Sequence, residues 1–182
     1  ALEEIDGFWT VRGDPTEGAL LVLGRKAGLD PEALHQEFPR VAEIPFSSET
    51  KRMSTFHQES DGVLMYVKGA PESLLPRSPM MLTAQGERPM TAMDREAVQH
   101  RGAEMAQEAL RVLGLAYRRL PEVPDLESEE ADPELVWVGL AGMIDPARPD
   151  WPERDRLVVS ERISGPLSDT ASLTRSPASS VR

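Results

Sequence analysis

Along the first 149 residues, apolar positions switch several times between the alternating spacing of strands and the three-to-four spacing of helices. Phe8 to Arg12 reads as a strand. Asp14-Pro15-Thr16-Glu17 reads as a helix start, with Asp14 as N-cap, Pro15 in the first helical position and Glu17 in the third, where a carboxylate can close a capping box. Ala19, Leu20, Leu23 and Ala27 keep the helical spacing, and Gly28 is a natural stop. A short helix follows Asp30-Pro31, and Val41 to Phe46 is the next strand. Met53 to His57 and Val63 to Lys68 form a hairpin whose connection holds Asp61-Gly62. Pro71 opens a helix through Leu75, and Met81 to Ala84 is a strand ending near Gln85-Gly86. Thr91 to Leu110 is the longest helical stretch, with Val98, Met105, Ala106, Ala109 and Leu110 on one face. Val112 to Tyr117 and Leu135 to Ile144 complete the strands, and the acidic stretch Pro121 to Pro133 is the loop between them. Strands joined by hairpins with helices between them predict the α+β class: a twisted antiparallel sheet flanked by helices.

Composition narrows the chemistry. The 182 residues include no cysteine, so disulfides and thiolate metal sites are excluded. His35, His57 and His100 stand apart from one another, and no metal site is expected. A formal net charge of −11 repels phosphate backbones, so no nucleic-acid partner is expected. It does not forbid a small nucleotide, because a pocket needs only one or two local cations. No apolar run reaches bilayer-spanning length and no secretory pattern opens the chain, so no direct membrane contact is expected. The first residue is Ala1 rather than Met, which suggests a piece of a longer protein. From Trp151 onward the texture changes to seven serines, with five arginines against four acidic residues. Segments such as Ser176-Pro177-Ala178-Ser179-Ser180 bury little apolar area, and residues 150–182 are expected to form a poorly ordered tail.

Four segments stand out: Gly13-Asp14-Pro15-Thr16-Glu17-Gly18-Ala19-Leu20, Pro45-Phe46-Ser47-Ser48-Glu49-Thr50-Lys51-Arg52-Met53-Ser54, Lys68-Gly69-Ala70-Pro71-Glu72, and Gly139-Leu140-Ala141-Gly142-Met143-Ile144-Asp145-Pro146-Ala147-Arg148-Pro149. In this order and rough spacing they resemble the nucleotide-binding (N) domain of the calcium-pump-like, type II cation-transporting P-type ATPases. Lys-Gly-Ala-Pro-Glu is the most specific of the four. The resemblance covers roughly residues 7–149, and a nucleotide-binding domain is expected over 1–149, short of its first strand. Nothing after Trp151 resembles the family's continuation, so the tail reads as frame-shifted or foreign to the domain. Ser47, Thr50 and Ala147 also depart from residues common among relatives.

The resemblance implies an ATP site. Phe46 would stack on adenine, although a phenylalanine at a strand end is ordinarily core. Lys68 and Lys51 would offer charge to the nucleotide, although most lysines are simply solvated. Gly69 and Ala70 would let the backbone pass close to the ligand, and Met53 would line the same site. Glu17 would accept from the adenine amino group, a role not exclusive of capping. Arg111 would reach toward the phosphates, or else mark a helix-to-strand junction. Asp145, Pro146 and Arg148 would form the hinge to a phosphorylation domain, and Mg²⁺ would arrive with ATP. No catalytic residue is expected in this chain: the family's Asp-Lys-Thr-Gly-Thr acceptor and its distal magnesium motif are absent from the 182 residues. The fragment is therefore expected to bind ATP or ADP without hydrolysing it. The intact protein would be an ATP-driven cation-transporting ATPase, a hydrolase and translocase. There the domain would lie on the cytoplasmic side of a membrane, with phosphorylation and actuator domains as partners. The alternative is an interaction or structural module that keeps the fold without binding nucleotide. An autonomous hydrolase has no supporting motif: neither a Gly-x-Ser-x-Gly elbow nor a Walker lysine loop is present.

Overall fold

A computed structural model describes residues 2–5, 8–11, 14–126, 134–144 and 163–164. Strands β1 (Leu2–Ile5) and β2 (Phe8–Val11) pair with each other as a small hairpin. The main sheet has eight strands. Its order runs β3 (Arg40–Ser47), β4 (Arg52–Glu59), β5 (Gly62–Gly69), β8 (Leu110–Leu120), β9 (Val136–Ile144), β6 (Met80–Thr83) and β7 (Gly86–Pro89), and β10 (Ile163–Ser164) also pairs with β9. The helices are α1 (Pro15–Lys26), α2 (Pro31–Glu37), α3 (Pro71–Leu74) and α4 (Ala92–Gln107), and a 3-10 turn, Leu75–Arg77, extends α3. This is a mixed α+β fold with a largely antiparallel sheet flanked by helices.

One pair departs from the expected antiparallel pattern: β6 runs parallel to β9 at Met80–Val136 and Met81–Trp137. Parallel neighbours need a long crossover, and here β7, α4 and β8 supply it. Strand β7 was not visible as a period, because Gly86-Glu87-Arg88-Pro89 is polar and exposed throughout. It exists as the edge partner of β6 across the Thr83–Gly86 turn, and edge strands need no apolar face.

Helix caps follow the local sequence. Asp14 caps α1 with Oδ1 accepting from the Thr16 amide at 2.8 Å and the Glu17 amide at 3.1 Å. Gly28, at φ +82°, ends that helical segment in the left-handed region. The full capping box lies instead on α4, where Thr91 and Asp94 exchange hydrogen bonds and Arg88 grips the Asp94 carboxylate through two contacts of 2.7 Å. Helix α4 is shorter than its apolar spacing predicted. It stops at Gln107, Ala109 takes a left-handed φ of +59°, and Leu110 is already the first residue of β8. Ala106 and Ala109 are exposed rather than core, and Val98 and Met105 face inward.

Alternation along β5 puts Val63, Met65 and Val67 on the face that receives α3 and α4, with Phe56, Leu74, Leu75, Met105, Trp137 and Leu140. Burial of each such side chain is worth about 1.5–3 kcal/mol. Leu115 pairs with Gly139 and Ala116 with Trp137, so Val138 is an extra residue in β9. This bulge restarts the alternation and lets Trp137 and Leu140 reach the same core. The opposite face holds Leu64, Tyr117 and Val136 in a smaller cluster.

Candidate functional site

Antiparallel pairing brings together one end of the sheet: the end of β3, the start of β4, the end of β5 and the start of β8. The register places Ser47 opposite Arg52, Arg52 opposite Gly69, and Gly69 opposite Gly114. Met53 lies beside Lys68, and Lys68 beside Leu115, so the three side chains share a face. Arg111 lies three positions before Gly114 on β8, opposite Met143, beyond the last residue of β5. Residues singled out from three stretches of chain, around Phe46–Met53, Lys68–Gly69 and Arg111, thus lie toward this end.

Phe46 is 62% exposed, more than any other Phe, Tyr or Trp among the residues whose burial is described. A register shift between Ile44 and Ser47 interrupts β3 next to it. Ile44, before the shift, packs on the core; Phe46, at the shift, does not. Strand β3 is the edge of the main sheet, and among the described residues no further strand covers it.

Lys68 Nζ donates to Glu17 Oε1 at 3.0 Å, joining β5 to α1. The Glu17 side chain therefore turns to Lys68 at the very position where a capping box would have turned it back on the N-cap. A carboxylate has lone pairs for more than one donor, so this pairing leaves Glu17 acceptor capacity. Partial burial pushes the Asp14 carboxyl up, but the amides of Glu17 and Thr16 and the nearby Lys68 charge outweigh it and hold the pKa below its ordinary value.

The turn between β3 and β4 is held against the Lys68–Pro71 corner. The Lys51 amide donates to Ser47 O at 2.7 Å, and the Ala70 amide donates to Lys51 O at 3.0 Å. Lys51 itself is left-handed, at φ +52°. Ser73 Oγ donates to Thr50 O at 2.6 Å. A side chain at Gly69 would place its Cβ 2.5 Å from Lys51 O and 2.8 Å from Arg52 Cα, so only glycine admits this approach. The Lys51 ammonium stands 3.7 Å from Glu72, both well exposed, a pairing weak enough to exchange for another anion.

Ser73 and Thr50 were not visible in the sequence as partners. Thr50 enters through its carbonyl, which every residue has, so its departure from the family pattern costs this contact nothing. Likewise the Ser47 hydroxyl, another departure, accepts from the Glu49 amide at 3.2 Å and shapes the turn. Asp145, Pro146 and Arg148 lie outside the described residues.

Two clefts, of about 320 and 290 Å³, lie at the opposite end of the sheet, around Tyr117 and Arg119 and around Glu59–Val63. A cleft is not required at Phe46, because stacking uses one open face of a ring. At the far end, burial and the Glu87 carboxylate, which accepts from Tyr117 Oη at 2.6 Å, push the Tyr117 hydroxyl up to about 12. Among the described residues no three acidic or imidazole side chains are grouped to hold a metal ion. No described helix is long and apolar enough to cross a membrane.

Residues 2–150 match the family of P-type ATPase cytoplasmic N domains, and the chain belongs to that family. Among curated relatives it is 41% identical over 150 residues to the cation-transporting ATPase pma1 of Synechocystis, covering 82% of this chain and 16% of that protein. It is 36% identical over 137 residues to the calcium-transporting ATPase lmo0841 of Listeria monocytogenes, covering 75% of this chain and 16% of the relative. The calcium-transporting ATPase of Bacillus subtilis is 34% identical over 155 residues, 82% of this chain and 17% of its own. The chain thus spans about a sixth of the length of the curated relatives it matches.

Proposed function

We propose that residues 1–149 are the ATP-binding domain of a cation-transporting P-type ATPase, and that residues 150–182, of which Ile163–Ser164 adds a short strand beside β9, take no part in its nucleotide site. The observation that carries this reading is the bare ring of Phe46, displayed at the sheet end that also holds the Lys68–Glu17 pair. A folded domain gains nothing from exposing such a ring, whereas a purine stacked on it is worth about 1–3 kcal/mol.

The residues present fit an adenine nucleotide. Phe46 supplies the stacking face. Glu17, already oriented by Lys68, accepts the adenine amino group. Met53 offers apolar surface beside Lys68 on the same face. Lys68 and Lys51 oppose the nucleotide's negative charge, and Arg111 extends that positive field toward the phosphates. Gly69 and Ala70 keep the backbone low at the corner. Mg²⁺ travels with the phosphates. In the whole pump, on the cytoplasmic side of the membrane, motion at Asp145, Pro146 and Arg148 delivers ATP to an aspartate on the phosphorylation domain, alongside an actuator domain. Alone, the chain binds nucleotide without turnover.

The test is an ATP titration of the isolated chain followed by backbone amide and aromatic chemical shifts. Saturable shifts at Phe46, Lys68, Gly69 and Ala70, with no protein-dependent phosphate release, are expected. Silence at these residues in millimolar ATP would leave a scaffold that has kept the fold and lost its ligand.

A further inference from the structure

We propose that Ser73 is a positioning residue for the nucleotide site: its hydroxyl, by holding the Thr50 carbonyl, keeps the β3–β4 turn in the shape that presents Phe46 and Lys51. The inference rests on the reading of that site given above.

The two sides of the 2.6 Å contact differ in rigidity. Ser73 stands on a fixed base. Its neighbours Leu74 and Leu75 are buried at 0% and 4% exposure, its own carbonyl accepts from Arg77 at 3.0 Å, and Arg95 of α4 donates to the carbonyls of Leu75 and Ser78. The turn is the opposite case. It is exposed from Ser48 to Lys51 apart from these contacts, and Lys51 holds a left-handed φ of +52°. A non-glycine residue in that region persists only where its surroundings over-determine it. Besides the Ser47 hydroxyl, which accepts from the Glu49 amide within the turn, three hydrogen bonds supply that constraint: Lys51 amide to Ser47 O, Ala70 amide to Lys51 O, and Ser73 hydroxyl to Thr50 O. Two are backbone bonds available to any sequence. The third depends on one side chain, and it is the one that a substitution can remove cleanly.

Without it, the turn samples other conformations, and only the fraction in the presented shape binds nucleotide at full strength. A neutral hydrogen bond's net worth bounds the loss, and ATP affinity falls about threefold to tenfold in Ser73→Ala. Ser73→Thr keeps the hydroxyl and restores affinity.

The experiment compares ATP dissociation constants of the 182-residue wild type, Ser73→Ala, Ser73→Thr and Thr91→Ala, each at a temperature where it is fully folded. Thr91→Ala removes the α4 cap and so matches a modest stability loss without touching the turn. Weaker binding in Ser73→Ala alone, recovered in Ser73→Thr, is the expected result. Equal affinity in wild type and Ser73→Ala overturns the positioning role and leaves the site intact. A matching loss in Thr91→Ala overturns it too, since the effect would then be general softening. A wild type that does not bind ATP overturns the nucleotide site itself, and this role with it.

Discussion

Gly69→Ala is the sharpest test of how the sheet end is built. The added Cβ would lie 2.5 Å from Lys51 O, 2.8 Å from Arg52 Cα and 2.8 Å from Arg52 Cβ. None of these atoms is the free end of a flexible side chain. Strand β4 is paired on both sides, to β3 and to β5, so it cannot retreat without breaking a ladder. The turn must therefore lift away, which costs about 1–3 kcal/mol as overpacking. It also threatens the 3.0 Å bond from the Ala70 amide to Lys51 O, worth roughly 1 kcal/mol. Together the substitution should destabilise by about 2–4 kcal/mol, a fall in melting temperature of roughly 6–12 °C for a domain of this size. Gly24→Ala is the internal control. It sits inside α1 with nothing within 4 Å of the added Cβ, and there alanine should stabilise by about 0.5–1 kcal/mol. Thermal denaturation followed by circular dichroism reads both, and an ATP titration at low temperature reads the site. If Gly69→Ala melts with the wild type and binds ATP as well, the close approach of turn and corner is wrong.

Phe46→Ala should leave the unfolding free energy within about 0.5 kcal/mol of wild type, because the ring is largely exposed, while weakening ATP binding by roughly fivefold to a hundredfold. A large stability loss with unchanged affinity would make the ring a packing residue. Both tyrosines, Tyr66 and Tyr117, are raised above the ordinary 10.0, Tyr117 to about 12, by burial first and by the negative charges of Glu59 and Glu87. Their neutral forms contribute stability that is complete below pH 10 and lost as pH rises toward 12. Absorbance of tyrosinate should accordingly lag behind that of free tyrosine, and a midpoint at the free value with the fold intact would contradict the Tyr117–Glu87 contact. At the acid end, hydrogen bonds from Arg88 and Thr91 hold the Asp94 carboxyl far below its ordinary 3.8. That contribution is present above about pH 4 and fades as pH falls through the folded-state value. Asp94→Asn should flatten the acid limb of the stability curve, and an unchanged limb would remove the α4 box from the account.

Much of the architecture was legible in local pattern because local chemistry decides it. Asp14-Pro15 and Asp30-Pro31 start helices by supplying an acceptor and a preset φ, and Asp61-Gly62 turns a hairpin, whatever the rest of the chain does. The four family motifs were legible for the same reason: each is a short run with its own turn or strand geometry. Features set by distant partners were not legible. Strand β7 exists only because β6 lies beside it, and α4 yields Leu110 to β8 because pairing with Ile144 outweighs one more helical turn. Glu17 could cap its own helix or face a lysine 51 residues away, and the tertiary contact won. The Ser73–Thr50 bond has no signature at all, since a hydroxyl meeting a carbonyl leaves no trace in residue type. Residue order alone determined which pieces this protein is made from. Only packing determined which carbonyl, carboxylate and ring would meet at the end of the sheet, because those encounters depend on where separate pieces come to rest.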